Sequence, residues 1–204
     1  MHIIAGSARG RRIFSVSTKM MVRPISARMR QSLFDILKPM VTGSYMLDLF
    51  AGTGAVGLEA LSRGAQKVVF VEKDARCIKV IEKNLEHLGF KAGGTALKGD
   101  ATNALSWVAH RGGVSEFDLI FMGPPYRLED NTPLFLSRKT IDQVVAAKLL
   151  SKNGWLIAQH HQKEEPGQVP GYELFRCEKY GDTRVTFYRH FNSGASPFPV
   201  LPAA

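Results

Sequence analysis

The chain has 204 residues, of which 45% are hydrophobic and 22% are charged. This composition is typical of one soluble α/β domain with a small extension, and it excludes a wholly disordered or fibrous chain. The net charge of +9 indicates a nucleic acid or another polyanion as a partner, with a solvated basic tail as the alternative. Residues 1–34 contain no acidic residue and seven basic ones, namely Arg9, Arg11, Arg12, Lys19, Arg23, Arg28 and Arg30.

The first predicted elements are a β-hairpin over residues 2–16 and a helix over residues 26–37, which Ser26 can cap. From residue 45 onward, strands alternate with helices. These later elements are strands over 45–50, 67–72, 95–100, 117–122 and 155–160, helices over 55–63, 75–88 and 140–151, and a terminal hairpin over 174–191. Residues 192–204 contain three prolines and no regular period, which predicts a disordered tail.

The sequence shows no pattern for a disulfide, a metal site or a membrane segment. Cys77 and Cys177 stand in no metal or redox spacing. No apolar run approaches the ~20 residues of a membrane span, and the N-terminus lacks the apolar segment of a signal peptide. We therefore expect a cytoplasmic protein, a monomer, that binds neither a metal nor a membrane.

The alternation of strands and helices predicts a mostly parallel sheet that an antiparallel hairpin closes. Sheets of this kind bind ligands just beyond the carboxyl ends of their strands. We therefore expect functional residues directly after the strands over 45–50, 67–72, 95–100 and 117–122.

A glycine turn follows the first of these strands. Asp48 precedes Gly52, Gly54 and Gly57, which satisfy the pattern G-x-G-x-x-G. The first two glycines allow the backbone to approach a ligand closely, and Gly57 allows tight packing of helix on strand. A Walker A loop is excluded, because no Lys followed by Ser or Thr stands at the required place. A dinucleotide site and an S-adenosylmethionine site both fit the glycines.

Asp48 favours the second of these two ligands. A carboxylate beside the turn repels the pyrophosphate of a dinucleotide, at a cost of about 1 kcal/mol or more, whereas it attracts the ammonium and sulfonium groups of S-adenosylmethionine. A capping or turn acid is the alternative role for Asp48. Glu72 ends the second strand and can accept hydrogen bonds from ribose hydroxyls of either ligand. Asp100 ends the third strand and can accept one from an adenine amino group.

The fourth strand ends in Gly123, Pro124, Pro125 and Tyr126. Consecutive prolines lack N–H groups and hold the chain extended, so that their carbonyls can face a site. Tyr126 offers a ring on which a base can stack, which contributes about 1–3 kcal/mol. Carbonyl acceptors and stacking are what methyl transfer to an exocyclic amino group needs, because that nitrogen must be oriented toward the methyl carbon. Arg127 can hold the phosphate of an extruded nucleotide.

Together these motifs resemble a known family. The pattern D-x-F-x-G-[ST]-G-x-x-G, followed by [DN]-P-P-[FYW], is the signature of class I S-adenosylmethionine-dependent amino-methyltransferases. The segments RGRRI, VRPISARMRQSLF, LDLFAGTGAVGLEALSRGA and YGDTRVTFYRH resemble the small-subunit rRNA methyltransferase D family, which methylates guanine N2 in 16S rRNA. The resemblance covers about residues 1–190.

This resemblance implies a Rossmann-like, seven-stranded, mostly parallel sheet with a small N-terminal extension. Residues 1–40 would form the extension and residues 41–191 the methyltransferase domain. The segment Arg23–Arg30 would cover the methionine end of the cofactor and the substrate entrance. The residues expected at S-adenosylmethionine are Asp48, Phe50, Ala51, Gly52, Thr53, Gly54, Glu72, Lys73, Asp100 and Ala101. The residues expected at the target base are Gly123, Pro124, Pro125 and Tyr126. Those expected at small-subunit rRNA or a 30S particle are Arg9, Arg11, Arg12, Arg23, Arg28 and Arg127.

Gly123 departs from the family motif, which has Asp at this position, or Asn in relatives that modify adenine. Loss of that side-chain acceptor typically costs a few kcal/mol of transition-state stabilisation. Three interpretations stay open: backbone acceptors suffice, another acceptor comes from elsewhere, or the enzyme is nearly inactive. An adenine-N6 methyltransferase and a non-catalytic ribosome-assembly factor are therefore alternatives. His160, His161 and His190 have no ligand partners at suitable spacing and are expected to be exposed polar residues.

Overall fold

The computed structural model describes residues 1–16, 25–128 and 130–191. Within these ranges the chain forms five helices and seven strands. In chain order they are α1 (Ala27–Val41), β1 (Tyr45–Leu49), α2 (Ala55–Ser62), β2 (Lys67–Glu72), α3 (Ala75–Leu88), β3 (Gly94–Lys98), α4 (Ser106–Gly112), β4 (Phe117–Met122), α5 (Ser137–Ala146), β5 (Leu150–His161), β6 (Tyr172–Tyr180) and β7 (Thr183–His190).

The strands form one sheet in the order β3-β2-β1-β4-β5-β7-β6. Strands β1 to β5 run parallel, and the hairpin β6–β7 adds to β5 in the antiparallel direction. The predicted fold class is thus confirmed. The order reverses between β1 and β4, and at such a switch point a crevice opens beyond the carboxyl ends of the two strands.

Helices cover both faces of the sheet. One core cluster contains apolar residues of α1, α2 and α3, and the other contains apolar residues of α4 and α5. Alternate residues of each inner strand supply the two clusters, so β1 gives Met46 to the first and Leu47 to the second. This burial on both faces explains why the inner strands read as continuous apolar runs.

Two helices differ from the sequence predictions. Helix α4 was not predicted, because its seven residues include one buried apolar side chain, Val108, and leave no helical period to detect. Helix α5 lies at Ser137–Ala146 rather than near 140–151. Lys148 takes a left-handed backbone with φ of 50°, and the next residues pair with β4, where the Phe117 amide donates to the Leu149 carbonyl.

The N-terminal segment is an irregular hairpin rather than a pair of strands. His2 and Arg12 form an isolated antiparallel bridge, and Ile3 and Ile13 are each 2% exposed in the same core cluster as α1 to α3. The turn of this hairpin packs on Ser62, whose Oγ accepts from the Ala8 amide at 3.0 Å. Ser62 is the last residue of α2, so the turn lies at the amino edge of the sheet.

A buried charge cluster holds this segment to α2. Glu59 is fully buried, and its carboxylate accepts from the amides of Ile4 and Ala5 at 2.9 and 3.0 Å. Arg30 is also fully buried and lies 3.5 Å from the same carboxylate, while Arg63 lies 2.8 Å from it. Arg30 therefore holds the N-terminal segment in the core and does not present its charge to a polyanion.

Arg11 also has an intramolecular role. Its guanidinium donates to the carbonyls of His87 and Leu88 at the end of α3, where a positive charge complements the helix dipole. The predictions that concern Lys19, Arg23 and residues 192–204 lie outside the described residues.

Candidate active site

A cleft lies beyond the carboxyl ends of three neighbouring strands. Its lining residues are Phe50, Val71, Glu72, Lys73, Gly99, Asp100 and Ala101. Five of the ten residues predicted from sequence to bind S-adenosylmethionine are thus brought together from β1, β2 and β3. The other five lie in or directly before the glycine turn that borders this cleft.

The glycine turn has a constrained backbone that Glu72 holds in place. Phe50 and Gly52 each have a φ of 56°, and Gly54, with a φ of 82°, caps α2. The Glu72 carboxylate accepts from the Gly52 amide at 2.9 Å and from the Asp74 amide at 3.0 Å. A carboxylate has about four acceptor sites, so Glu72 can still accept hydrogen bonds from ligand hydroxyls.

The remaining turn residues are tied to the neighbouring elements. The Ala51 amide donates to the Val71 carbonyl at 3.2 Å, and the Thr53 carbonyl accepts from the Asn84 side chain at 3.3 Å. An added Cβ on Gly57 would lie 2.3 Å from the Phe70 ring. The close approach of α2 to β2 therefore requires glycine there, as the sequence predicted.

Asp48 lies beneath the turn, and its side chain accepts from an amide in the first turn of α2. Its side chain is 1% exposed, and Oδ2 accepts from the Gly57 amide at 2.9 Å. Burial raises the pKa of Asp48 to about 7, while the Gly57 amide opposes that rise. The capping role considered from sequence is therefore real. A cation beyond the turn would favour the ionised form of the same carboxyl.

The raised pKa makes stability depend on pH. Between about pH 4 and pH 7 the folded chain keeps a proton on Asp48 that the unfolded chain has released. The stabilisation from this proton is complete below about pH 4 and is lost as the pH rises toward 7. Asp48→Asn keeps an acceptor for Gly57 and cannot ionise. We therefore expect the free energy of unfolding of the variant, relative to that of the parent, to rise by about 2 kcal/mol from pH 5 to pH 7. Urea unfolding at several pH values measures it.

The contradicting result would be a free-energy difference that stays constant over that pH range. Asp35→Asn, at an exposed position of α1, is the matched control.

Asp100 stands ionised at the far side of the cleft. Its Oδ1 accepts from the amide and the hydroxyl of Thr102 at 2.9 and 2.8 Å. The backbone hydrogen bond is the main cause that lowers the pKa of Asp100. Because these bonds use one oxygen, Oδ2 is available to an amino group of a ligand.

The hydrogen-bond acceptors of the cleft fit S-adenosylmethionine better than a dinucleotide. Glu72 and Asp100 place two carboxyl groups at the cleft, with that of Asp48 buried beneath the turn, and Lys73 is the basic residue among those that line the cleft. A pyrophosphate would meet mainly acidic groups there. The ribose hydroxyls and the adenine amino group of S-adenosylmethionine would instead meet carboxylate acceptors, and its positive charge would not be repelled.

The Gly123–Tyr126 loop borders the glycine turn at the switch point of the sheet. The Gly123 amide donates to the Leu49 carbonyl at 3.4 Å, so the loop begins one residue from Phe50. Pro124 is buried, Pro125 is exposed and Tyr126 is half-buried. The loop therefore adjoins the cleft and leaves part of the tyrosine ring accessible.

Two residues outside the predicted set hold Tyr126. Its hydroxyl donates to Thr183 Oγ1 at 3.2 Å and accepts from Gln159 Nε2 at 2.9 Å. The His161 ring packs edge-on against the tyrosine ring at a centroid distance of 5.9 Å. Sequence reasoning missed Gln159 and Thr183, because they lie on β5 and β7 and reach the loop through strand pairing.

His160 corrects a further expectation. It is 2% exposed, and its Nε2 lies 2.7 Å from Thr186 Oγ1. Burial lowers the pKa of His160, which favours the neutral ring. The prediction that it is exposed was therefore wrong, since a strand buried on both faces continues through this residue. His190 is half-buried beside the Tyr172 ring, at a centroid distance of 4.4 Å.

The arginines predicted to contact RNA lie in different places. Arg9, Arg12 and Arg28 are exposed, the first two in the N-terminal hairpin and the third in α1. Arg127 is exposed next to Tyr126 and donates to the Asn131 carbonyl at 2.9 Å. Among the predicted RNA contacts in the described residues, Arg127 alone adjoins the Gly123–Tyr126 loop in sequence.

No group of three or more His, Cys, Asp or Glu residues is close enough to hold a metal ion within residues 1–16, 25–128 and 130–191. No helix in the same ranges is long and apolar enough to cross a membrane.

The sheet order, the glycine turn after β1 and the Gly123–Tyr126 loop after β4 are those of a class I methyltransferase. The predicted cofactor, S-adenosylmethionine, is the methyl donor of that class. The chain belongs to the family described as Conserved hypothetical protein 95, whose model matches residues 1–189.

Known proteins agree with this assignment. The chain is 35% identical over 204 residues to Ribosomal RNA small subunit methyltransferase D of Escherichia coli strain K12, covering 90% of this chain and 93% of that protein. It is 30% identical over 198 residues to the protein of the same name from Haemophilus influenzae, covering 95% and 94%. The solved structure of yhhF from Escherichia coli superposes with a TM-score of 0.77 at 26% identity, covering 93% of this chain and 97% of that one. The resemblance noted from sequence is thereby confirmed.

Proposed function

We propose that this protein transfers a methyl group from S-adenosylmethionine to the exocyclic N2 of a guanine in small-subunit rRNA, acting in the cytoplasm as a monomer. The observation that carries the proposal is the hydrogen bond between Gly123 and Leu49. It joins a loop suited to a planar base to a cleft suited to S-adenosylmethionine. The small-subunit rRNA methyltransferase relatives support rRNA as the substrate.

The residues act by orientation. S-adenosylmethionine, when bound, supplies a methyl group on a positively charged sulfur. Glu72 and Asp100 hold the ligand through its ribose and adenine, while Tyr126, held by Gln159 and Thr183, stacks on the base. The Pro124 carbonyl accepts a hydrogen bond from the target amino group. After transfer the amino nitrogen releases one proton to water, so no strong general base is required.

The experiment supplies purified protein with radiolabelled S-adenosylmethionine and 30S particles from a strain that lacks the gene. We expect label in the 16S rRNA, recovered as N2-methylguanosine after digestion. Label recovered as N6-methyladenosine would identify the adenine enzyme instead. Cofactor binding without transfer, measured by calorimetry, would identify a non-catalytic assembly factor.

The exposed arginines of the N-terminal hairpin provide a separate prediction. Each phosphate contact contributes up to about 0.9 to the slope of log K against log salt. If Arg9 and Arg12 contact rRNA, Arg9→Gln/Arg12→Gln lowers that slope by up to about 2. Fluorescence anisotropy with a labelled rRNA fragment at several salt concentrations measures it. Arg11 is left unchanged in the test, because its bonds to α3 would add a stability effect.

The matched control is Lys148→Gln/Lys152→Gln, which removes two exposed charges, one between α5 and β5 and one at the start of β5. We expect the control to bind rRNA with the slope of the parent. A slope that Arg9→Gln/Arg12→Gln leaves unchanged would instead identify the hairpin as a solvated basic surface.

A further inference from the structure

Gly123 lacks the side-chain acceptor that the methyltransferase motif has at its first position, and a neighbouring strand supplies one nearby. An ideal Cβ on Gly123 would lie 3.3 Å from the Phe121 ring and 3.8 Å from Gln159 Cδ. Parallel pairing of β4 with β5 sets Met122 opposite Ala158. The residues that follow these two, Gly123 and Gln159, are therefore neighbours. The Gln159 carboxamide thus lies next to the space that a longer side chain at position 123 would enter.

The hydrogen-bond network orients that carboxamide. The single proton of the Tyr126 hydroxyl goes to Thr183 Oγ1, so the tyrosine oxygen accepts from Gln159 Nε2. In the part of the chain that the structure describes, Tyr126 is the hydrogen-bond partner found for the Gln159 side chain. Because the carboxamide nitrogen donates to Tyr126, the oxygen Oε1 remains available to accept a hydrogen bond from a ligand.

We infer that Gln159 is a catalytic residue whose Oε1 accepts a hydrogen bond from the target amino group, in place of the acceptor that Gly123 lacks. This inference rests on the proposed function and selects one of the three interpretations of Gly123, an acceptor supplied from elsewhere. Gln159 Oε1 binds one amino N–H and the Pro124 carbonyl binds the other. Both bonds turn the nitrogen lone pair toward the methyl carbon.

The methyl-transfer step then needs no further catalytic group. The amino nitrogen forms a bond to the methyl carbon while the carbon–sulfur bond breaks and its electron pair stays on sulfur. The amino group, now positively charged, loses one proton to water. Gln159 stays neutral throughout, and its oxygen binds an N–H that becomes more acidic as positive charge develops on nitrogen, so the bond strengthens in the transition state.

The first test compares single-turnover methylation rates on 30S particles. Gln159→Met has similar length and offers no amide oxygen, and we expect its rate to fall by about tenfold or more. Tyr126→Phe breaks the same Gln159–Tyr126 bond but keeps both the amide oxygen and the stacking ring, so we expect a smaller loss of rate, about threefold. Equal losses in the two variants would overturn the inference, because Gln159 would then act through Tyr126 alone. A rate for Gln159→Met within about twofold of the parent would overturn it as well.

A rescue variant guards against a simple folding defect. Gly123→Asp/Gln159→Met restores an acceptor on the other side of the same space. We expect its rate to be at least about fivefold higher than that of Gln159→Met. Thermal unfolding and affinity for S-adenosylhomocysteine should match the parent in all variants. A double variant that folds but is no faster than Gln159→Met would overturn the inference that Gln159 replaces the acceptor missing at position 123.

The second test does not depend on methyl transfer. Protein saturated with S-adenosylhomocysteine is titrated by NMR with 5′-GMP and with 5′-IMP, which lacks the 2-amino group. The parent should prefer GMP, and Gln159→Met should weaken that preference, because only the Pro124 carbonyl then remains to accept from the 2-amino group. A parent without the preference overturns the inference even if rRNA is methylated. A parent that has the preference but methylates no rRNA supports the role of Gln159 and overturns the proposed rRNA activity.

Discussion

Replacement of Glu72 with alanine is expected to weaken binding of S-adenosylhomocysteine by about 100-fold. The Glu72 carboxylate holds the amides of Gly52 and Asp74 and is proposed to accept from the ribose hydroxyls. Hydrogen bonds to a charged group contribute about 1.5–3 kcal/mol each. Loss of the ribose contacts and of the ordered turn together gives about 2.7 kcal/mol, which is 100-fold in affinity. Isothermal titration calorimetry measures the change directly.

Glu82→Ala is the matched control, because Glu82 is exposed in α3 and touches neither the turn nor the cleft lining. Its affinity for S-adenosylhomocysteine should equal that of the parent. Glu72→Gln keeps one acceptor oxygen and should fall between the parent and Glu72→Ala. An affinity for Glu72→Ala within about threefold of the parent would remove Glu72 from the proposed cofactor site.

Replacement of Glu59 with alanine is expected to lower the free energy of unfolding by about 3–5 kcal/mol. The fully buried carboxylate balances the fully buried Arg30, lies against Arg63, and accepts from the Ile4 and Ala5 amides. Without it, a guanidinium remains in the core with no counter-charge, and two amides lose their acceptor. Urea denaturation of parent and variant measures the loss.

A second substitution separates the charge effect from the lost packing. In the Glu59→Ala background, Arg30→Met removes the unpaired cation, and we expect part of the lost stability to return. Glu82→Ala again serves as the exposed control, with a change within about 0.5 kcal/mol. A loss below about 1 kcal/mol for Glu59→Ala would contradict the importance of this cluster for holding the N-terminal segment on α2.

Much of the sheet could be predicted because its signals are local. The inner strands are continuous apolar runs, and each ends in a residue that is unusual at such a place, such as Asp48, Glu72 or Asp100. Once the strands are parallel, these ends must meet at one edge of the sheet. The cleft beyond β1, β2 and β3 contains Glu72 and Asp100 as that reasoning required.

The remaining features depend on tertiary contacts that no local pattern records. Charge counting cannot separate Arg30 from the other basic residues of the N-terminal segment, whereas the fold buries it against Glu59. Gln159 and Thr183 are ordinary strand residues until β5 and β7 bring them to Tyr126. The positive charge of the N-terminal segment is therefore divided: Arg30 and Arg11 hold the structure, while Arg9, Arg12 and Arg28 remain on the surface.

The most direct test of the account is mass spectrometry of nucleosides from the 16S rRNA of cells with and without the gene. We predict that deletion removes one N2-methylguanosine per 30S subunit, and that a plasmid copy of the gene restores it. The Gln159→Met gene should restore it only in part, whereas Gln159→Met with Gly123→Asp should restore more. Identical N2-methylguanosine content in the two strains would contradict the central claim that this protein methylates guanine in small-subunit rRNA.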